Sequence, residues 1–334
     1  MENQVKFKAK TDVPVLLIFF SRSEQFQSVF DEVKKARPSK LYLYQDGARE
    51  GNESDRIGVE KCGATAADEN IDWDCEVHRF YQEKNVGCDP SEFIAQKWMF
   101  ETEEMGIVLE DDDVPSQSFF PFCKELLERY KDDKRVNMIC GMNNNDISKH
   151  VNASFLFTKK GSIWGWASWK RVLDTWDEHY TWLDDAEKLN IIKTQLTNEE
   201  YESFIATAKQ HKNTGRAHYE SINAAAMFIN ESLNIVPKYN MITNIGISQT
   251  TTHSVSDLRL LPKRTQRLMY KKRYEIEFPL VYPKSVQRDY KFEKQMTPNK
   301  LERIGMKAES LVRSFVYLGF KKTVNRIRKK VIGR

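Results

Sequence analysis

Short apolar runs alternate with stretches of helical spacing through the first part of the chain. The apolar runs predict buried strands at Val13–Phe20, Lys40–Tyr44, Trp73–Phe80, Gly106–Leu109 and Val136–Cys140. Between them, apolar residues recur every three or four positions over Glu24–Ala36, Ser91–Glu103 and Ser118–Tyr130, which predicts helices. Strands and helices in this order are typical of an α/β sheet that binds a nucleotide.

The second half of the chain has a weaker pattern. Helical spacing over Asn190–Gln210 and a run of small residues in Ser221–Ile229 predict two further helices, and from about Leu258 the chain is basic and irregular. We therefore predict a main α/β domain over residues 1–258 and a basic C-terminal extension with an amphipathic helix over residues 259–334.

Four consecutive carboxylates, Glu110-Asp111-Asp112-Asp113, follow the apolar run Gly106–Leu109 directly. A buried strand that ends in acids opens at its C-terminal end, which faces the ligand crevice in open α/β sheets. Adjacent anions repel one another unless a cation or solvent compensates them. A divalent metal that carries a phosphorylated substrate would do so, and a solvated acidic turn is the alternative.

The charge of the chain is distributed unevenly. The net charge is +4, but residues 300–334 hold eleven Lys and Arg residues against two Glu residues, which leaves residues 1–299 mildly acidic. Apolar residues recur at near-helical spacing in this basic tail: Leu311, Phe315, Leu318, Phe320, Val324, Ile327 and Val331. This pattern favours a helix that lies on an anionic membrane surface. A helix packed on the protein and a nucleic-acid contact are the alternatives, and we expect no nucleic-acid partner.

Composition limits the remaining possibilities. The five cysteines are odd in number and lack a CxxC spacing, so we expect neither a zinc site nor a disulfide framework. The apolar run Val13–Phe20 is too short to span a membrane, and its flanks lack a signal-peptide cleavage pattern. We therefore expect a cytoplasmic protein that is peripheral to the inner face of the cell membrane.

Several segments, in this order and at these spacings, resemble a known family. They are Pro14–Arg22, Leu43–Arg49, Asn85–Cys88, Ile107–Pro115 followed by Phe119-Phe120, Ile163–Trp169 and Pro237–Gly246. Together they resemble bacterial glycosyltransferases of the GT-A fold, in the group similar to N-acetylglucosaminyltransferase I with its "EDD" motif. The resemblance covers roughly Val13 to Tyr282. It implies a Rossmann-like mixed sheet flanked by helices.

The resemblance also implies roles for individual residues. Asp112 would bind Mn²⁺ or Mg²⁺, with His253 as a second metal or diphosphate contact. The nucleotide-sugar donor would contact residues at the ends of the strands: Ser21, Arg22, Asp46, Arg49, Asn85, Glu110 and Asp111. The role of Asp113 stays open between a metal ligand and a solvent-facing residue.

The acceptor side is predicted from the same resemblance. An inverting transferase needs a carboxylate that takes the proton of the acceptor hydroxyl, and Glu220 is the candidate, with Asp185 and its neighbour Asp184 as alternatives. Glu220 could instead be an ordinary acid at a helix N-terminus. Trp164 and Trp166 would form a wall for a sugar ring, or else pack in the core.

The expected activity is metal-dependent transfer of a sugar, preferably from a UDP-sugar, to a glycan or lipid-linked acceptor in surface polysaccharide synthesis. A metal-dependent nucleotidyltransferase or phosphohydrolase could use the same acids. A non-catalytic module that binds a glycan or a membrane is a further alternative.

Overall fold

The computed structural model describes residues 6–247 and 258–332, with side chains up to Val324. The strands in this part of the chain are β1 Val15–Phe19, β2 Lys40–Gln45, β3 Glu76–Tyr81, β4 Met105–Glu110, β5 Asp113–Pro115, β6 Val136–Cys140, β7 Phe155–Thr158, β8 Trp166–Trp169, β9 Leu233–Pro237 and β10 Ile242–Asn244. The helices are α1 Ser23–Ala36, α2 Glu53–Thr65, α3 Cys88–Thr102, α4 Phe119–Tyr130, α5 Lys170–Leu173, α6 Ala186–Thr194, α7 Asn198–Thr214, α8 Tyr219–Ile229, α9 Lys263–Gln266, α10 Tyr290–Met296 and α11 Lys300–Ile332.

Eight of these strands form one mixed sheet in the order β3-β2-β1-β4-β8-β6-β9-β7. Strands β3, β2, β1 and β4 are parallel, whereas β8 runs antiparallel to both of its neighbours and β7 runs antiparallel to β9. The prediction of an α/β protein with a mixed sheet flanked by helices and a C-terminal helical extension is therefore confirmed.

The topology reverses between β1 and β4. The chain leaves β1 toward β2 and β3 on one side and then returns to place β4 on the other side of β1. A crevice forms outside the carboxyl ends of the strands at such a switch point, because the connections leave in opposite directions. The residues that follow β1 and β4 are Phe20–Arg22 and the acidic run.

A two-stranded sheet lies next to this crevice. Strand β5 begins at the fourth carboxylate of the run, and β10 pairs with it so that Asn244 lies opposite Asp113. The acidic run is therefore held between the main sheet on one side and a short antiparallel ribbon on the other.

Burial explains why the first strands could be read from the sequence. Every residue of β1 and β6 is buried, and a strand covered on both faces is a continuous apolar run. Helix α1 buries Phe26, Val29, Phe30 and Val33, the same positions that gave the helical spacing.

Other elements differ from the prediction. Helix α2 was not predicted, because it buries only Asp55, Gly58 and Cys62 and so has no apolar stripe. The predicted helix over Asn190–Gln210 is two helices, α6 and α7, and Thr197 begins the second with a reciprocal capping box to Glu200.

The predicted extension packs closely on the rest of the molecule at its start. The Glu275 carboxylate accepts the backbone N–H groups of Gln117 and Ser118 at the start of α4. The Ser154 hydroxyl accepts the N–H of Val281, and Tyr274 bonds to Asn240. Helix α11 follows, with a kink at Gly319, where φ is 74°. None of the helices in residues 6–247 and 258–332 has the length and apolar character needed to cross a bilayer.

Candidate functional site

A crevice of about 640 Å³ opens at the carboxyl ends of β1, β2 and β4. Eight of the residues that the sequence singled out line it: Arg22, Asp46, Arg49, Asn85, Glu110, Asp111, Asp112 and Trp164. The extension also contributes to its wall through Leu261, Thr265 and Met269, which sequence reasoning had not connected with the site.

Arg22 is the cation that faces the acidic run. Its guanidinium pairs with Asp111 through two nitrogens and with Oδ2 of Asp112 at 2.7 Å. Burial opposes the charge on Arg22, but the carboxylates of Asp111 and Asp112 outweigh burial and raise its pKa. Asp111 also accepts the N–H of Phe20 at 3.4 Å. Its carboxylate is therefore directed at the end of β1.

Asp112 approaches a glycine of the Pro237–Gly246 segment. Its Oδ1 accepts the Asn244 amide at 2.8 Å, and a Cβ at Gly246 would lie 1.9 Å from its Oδ2. Any larger residue at this position would therefore displace the carboxylate. Burial raises the pKa of Asp112, while Arg22 and Asn244 hold it down. Gly246 is thus required by the position of the carboxylate rather than by its own backbone conformation.

Asp113 is fully buried, so it does not face solvent. It accepts the N–H of Gly165 at 2.9 Å and the Asn244 amide at 3.0 Å. Burial, with Glu110 and Asp112 nearby, raises the pKa of Asp113 well above its usual range. Asp113 connects the acidic run to β10 and to the turn before β8.

Three carboxylates of the run converge. Oxygen atoms of Glu110, Asp112 and Asp113 all lie within 4.8 Å of one another, whereas Asp111 is directed away from them. Burial and the neighbouring Asp112 and Asp111 raise the pKa of Glu110 to about 8. This group brings together more carboxyl groups than the neighbouring arginine pairs with, and the raised pKa values of Glu110 and Asp113 reflect that crowding. An all-oxygen donor set of this kind suits Mg²⁺ or Mn²⁺.

A second wall of the crevice is the loop before α3. Asp46, at the end of β2, accepts the N–H groups of Gly47, Val86 and Gly87 and the Asn85 amide at 2.7 Å. Burial raises its pKa, and these donors act in the opposite direction. Asp46 therefore holds the loop in place, and its lone pairs are largely used within the protein.

Arg49 and Ser21 were also predicted to contact the donor. Arg49 forms a two-point ion pair with Asp55, with Nη2 2.7 Å from Oδ1, and its guanidinium lies 5.9 Å from the centre of the Phe20 ring. Ser21 does not line the crevice. Its main chain packs against Gly58 of α2, where a Cβ would lie 2.3 Å from the Ser21 carbonyl oxygen.

A second group of carboxylates lies beside the first. Oxygens of Asp89, Glu92 and Glu220 lie within 4.8 Å of one another. Burial raises the pKa of Glu92 well above its usual range, and Glu110 and Glu220 add to the effect. The sequence indicated Glu220 but not Asp89 or Glu92.

The remaining predicted residues have different outcomes. Trp164 lines the crevice, whereas Trp166 is only 2% exposed on β8 and stacks on Tyr219, as the core-packing alternative has it. Asp185 is the N-cap of α6, where its carboxylate accepts the N–H groups of Glu187 and Lys188. That helix cap explains Asp185 without catalysis. His253 lies outside the described residues.

Comparisons with known proteins give the following result. No family model matches the chain, and no curated protein matches it. Among solved structures, a UDP-glucose pyrophosphorylase complexed with UDP-glucose is similar, at 9% identity and a TM-score of 0.34, over 69% of this chain and 91% of that one. A glucose-1-phosphate thymidylyltransferase from Bacillus anthracis in complex with a sucrose is also similar. It has 9% identity and a TM-score of 0.28, over 58% of this chain and 82% of that one. Similarity at these scores carries no inference about activity.

We expect Arg22→Met to destabilise the fold, because it leaves the buried Asp111 and Asp112 without their cation. Removing one partner of a buried ion pair costs about 3–5 kcal/mol. Urea unfolding at pH 7 measures the free energy of unfolding, with the exposed Arg56→Met as the control. Adding Asp111→Asn to Arg22→Met should restore part of the loss. Equal stability of Arg22→Met and the unaltered protein would contradict this account.

Proposed function

We propose that the protein is a metal-dependent glycosyltransferase of the GT-A kind. It moves a sugar from a nucleotide-diphosphate sugar, preferably a UDP-sugar, to a glycan or lipid-linked acceptor of a surface polysaccharide. The observation that carries this proposal is the convergence of Glu110, Asp112 and Asp113 at the switch point of the sheet, next to a crevice of about 640 Å³. A crevice of this size accommodates a ligand of a few hundred daltons.

The donor set fits a divalent cation that binds oxygen. Three converging carboxylates repel one another, and a dication compensates that repulsion. Asp112 is the ligand we favour, since it lines the crevice and Gly246 leaves it room. A bound Mn²⁺ or Mg²⁺ would stabilise the negative charge that develops on a departing diphosphate.

Arg22 would help to bind the diphosphate on the same side of the crevice. Its guanidinium already spans Asp111 and Asp112 and lines the crevice. Arginine binds phosphate oxygens through two parallel hydrogen bonds. When a cation and a diphosphate occupy the crevice, Arg22 is thus placed to contact the diphosphate while it still holds Asp111.

Glu220 is the catalytic base in this proposal. It lies in the first turn of α8, outside the donor crevice, and it is close enough to Glu110 to affect the pKa of that residue. A carboxylate on the far side of the transferred sugar can accept the proton of an attacking hydroxyl. Inversion of the anomeric carbon follows from the family resemblance.

A nucleotidyltransferase is the second candidate. Such an enzyme would need further acids for a second metal, and the group Asp89, Glu92 and Glu220 supplies carboxylates at a suitable distance from one another. The two activities release different products. A glycosyltransferase releases a nucleoside diphosphate, whereas a nucleotidyltransferase that forms a nucleotide sugar releases pyrophosphate.

We expect Asp112→Asn to reduce metal-dependent release of nucleoside diphosphate by at least a hundredfold, because it removes a charged ligand from the cation. A loss of this size corresponds to about 3 kcal/mol of transition-state stabilisation. The measurement is a screen of nucleotide sugars with Mn²⁺ or Mg²⁺, with the exposed Asp174→Asn as the control. Release of pyrophosphate from a nucleoside triphosphate in the presence of a sugar 1-phosphate, assayed in parallel, would favour the second candidate. Full turnover by Asp112→Asn would contradict both.

We expect Glu220→Gln to lower the rate of sugar transfer about 10²–10⁴-fold, the usual contribution of general base catalysis. Binding of the nucleotide and metal should stay unchanged, because Glu220 does not line the donor crevice. Calorimetry of nucleotide binding and a transfer assay give the two readouts, and Glu202→Gln on the exposed face of α7 is the control. Weaker nucleotide binding without a loss of transfer rate would assign Glu220 to the donor site.

The membrane contact is a separate part of the proposal. Helix α11 exposes Leu301, Ile304, Leu311, Val312, Phe315 and Val316, which are spaced as one apolar stripe. Lys321 and Lys322 follow, and both are exposed. An apolar stripe beside basic residues suits a helix that lies in the surface of an anionic bilayer. It would keep the enzyme near a lipid-linked acceptor on the inner face of the cell membrane.

We expect the double variant Phe315→Ser and Val316→Ser to lose sedimentation with vesicles that contain phosphatidylglycerol. Both side chains are exposed, so the fold should persist, while burial of apolar area in the bilayer is lost. Ile57→Ser, on α2, is the control at an exposed apolar position. Vesicles of phosphatidylcholine alone should bind the unaltered protein weakly. Equal sedimentation of the double variant and the unaltered protein would refute the membrane contact.

A further inference from the structure

A second pocket of about 430 Å³ lies beside the donor crevice. It shares Trp164 with that crevice and has Glu220 in its wall. Its other walls come from the segment after β7, from α8 and from β9, and they carry polar side chains inside a largely apolar surround. A pocket between the donor crevice and the proposed base is where an acceptor would have to enter.

Lys159 is the unusual residue in this pocket. It is 7% exposed, and its ammonium donates to the Met227 carbonyl at 3.4 Å, which uses one of three N–H donors. In the described part of the chain, no carboxylate lies within ion-pair distance of that ammonium. Buried charges are normally paired, because an isolated one has lost its hydration without compensation.

The charged groups around Lys159 do not supply the missing ion-pair partner. Burial lowers the pKa of Lys159 to about 8, and Arg288 acts in the same direction, while Glu231 and Glu293 oppose it. The Glu293 carboxylate is engaged by Arg288 at 2.7 Å and by the Lys159 backbone N–H at 2.7 Å. The ammonium itself lies 5.6 Å from the centre of the Phe228 ring, and Lys159 is one of the residues that line the pocket.

Two amides add further donors. The oxygens of Asn223 and Asn234 both accept from Asn137, at 3.1 and 2.9 Å, so their N–H₂ groups are directed away from Asn137, and that of Asn223 donates one hydrogen bond to the Met138 sulfur at 3.5 Å. The amide nitrogen of Asn234 lies next to Gly161, where a Cβ would approach it to 3.0 Å. Glycine at this position keeps the amide accessible from the pocket.

The pocket also contains a hydrogen-bond acceptor. The side-chain oxygen of Asn144, another lining residue, is buried and has no hydrogen-bond partner among the residues that the structure describes. An unsatisfied buried acceptor is costly unless a ligand donates to it. A sugar hydroxyl would do so, and the half-buried Trp164 ring offers a flat apolar face to the sugar.

We propose that this pocket binds an acidic sugar of the acceptor, with its carboxylate or phosphate group held by Lys159 and the amides of Asn223 and Asn234. The assignment as an acceptor subsite rests on the proposed glycosyltransferase function, whereas the binding of an anionic sugar rests on the pocket alone. The subsite would select acceptors that carry a negative charge and would present a hydroxyl of that sugar to Glu220.

Ligand-observed NMR on the intact protein, without metal or nucleotide sugar, tests the binding. The probes are glucuronate, glucose 6-phosphate, inorganic phosphate and glucose. We expect an acidic sugar to bind and glucose to bind at least tenfold more weakly, since one charge-assisted hydrogen bond is worth about that factor. Binding of glucuronate alone identifies a carboxylate. Binding of glucose 6-phosphate with inorganic phosphate identifies a phosphate.

Lys159→Met is the decisive variant, and Lys160→Met is its matched control, because the neighbouring Lys160 pairs with Glu200 and lies outside this pocket. Lys159→Met should fold, since it replaces an unpaired buried cation with an apolar chain of similar length. It should weaken binding of the acidic sugar at least tenfold, and Lys160→Met should not. If Lys159→Met fails to fold, Asn234→Asp, which places a negative charge in the pocket, should weaken binding in the same way.

The proposal is overturned if no acidic sugar binds, if glucose binds equally well, or if Lys159→Met or its substitute Asn234→Asp binds as the unaltered protein does. Failure of the glycosyltransferase proposal would give a different result. Metal-dependent donor turnover would then be absent, while acidic sugars would still bind in a manner that depends on Lys159.

Discussion

The pairing of Arg22 with Asp111 and Asp112 is the interaction on which the candidate site depends. It joins the ends of β1 and β4, the two strands between which the topology reverses. Without it, several buried carboxylates would repel one another at the centre of the crevice, and each buried uncompensated charge is costly. The ion pair therefore links the ends of these two strands. It also lowers the free-energy cost of burying the carboxylates before any cation binds.

The four residues of the acidic run have different roles, some structural and some at the crevice. Asp111 is directed at Arg22 and the end of β1, and Asp113 is fixed by Gly165 and Asn244. Glu110 and Asp112 remain at the crevice, where they meet an oxygen of Asp113. The fourth carboxylate, Asp113, thus has a structural reason: it connects β5 to β10 and to the turn before β8, and it can still offer an oxygen to a metal.

The sequence predicted the parts of the site that follow directly from buried strands. The ends of β1, β2 and β4 were placed correctly because continuous apolar runs mark strands covered on both faces. Asp89 was missed because an acid in the first turn of α3 looks like an ordinary helix-terminal residue, and Glu92 because its burial is visible only in the tertiary structure. Lys159 was missed because only tertiary structure shows that it is buried while its neighbour Lys160 forms an ion pair. The burial of Trp166 likewise depends on Tyr219, which is far away in sequence.

Two electrostatic imbalances of opposite sign lie side by side in this fold. The crevice at Glu110 and Asp112 brings together more carboxyl groups than Arg22 pairs with, whereas in the neighbouring pocket the Lys159 ammonium has no carboxylate of the described residues within ion-pair distance. The two groups do not neutralise each other, because burial and Arg288 lower the pKa of Lys159, Glu231 and Glu293 oppose them, and the acidic run is not among the causes. A folded protein retains such uncompensated charges at a cost in stability, and functional sites are where that cost is commonly found. A cation with a diphosphate in one cavity and an acidic sugar in the other would compensate both, with Glu220 between them.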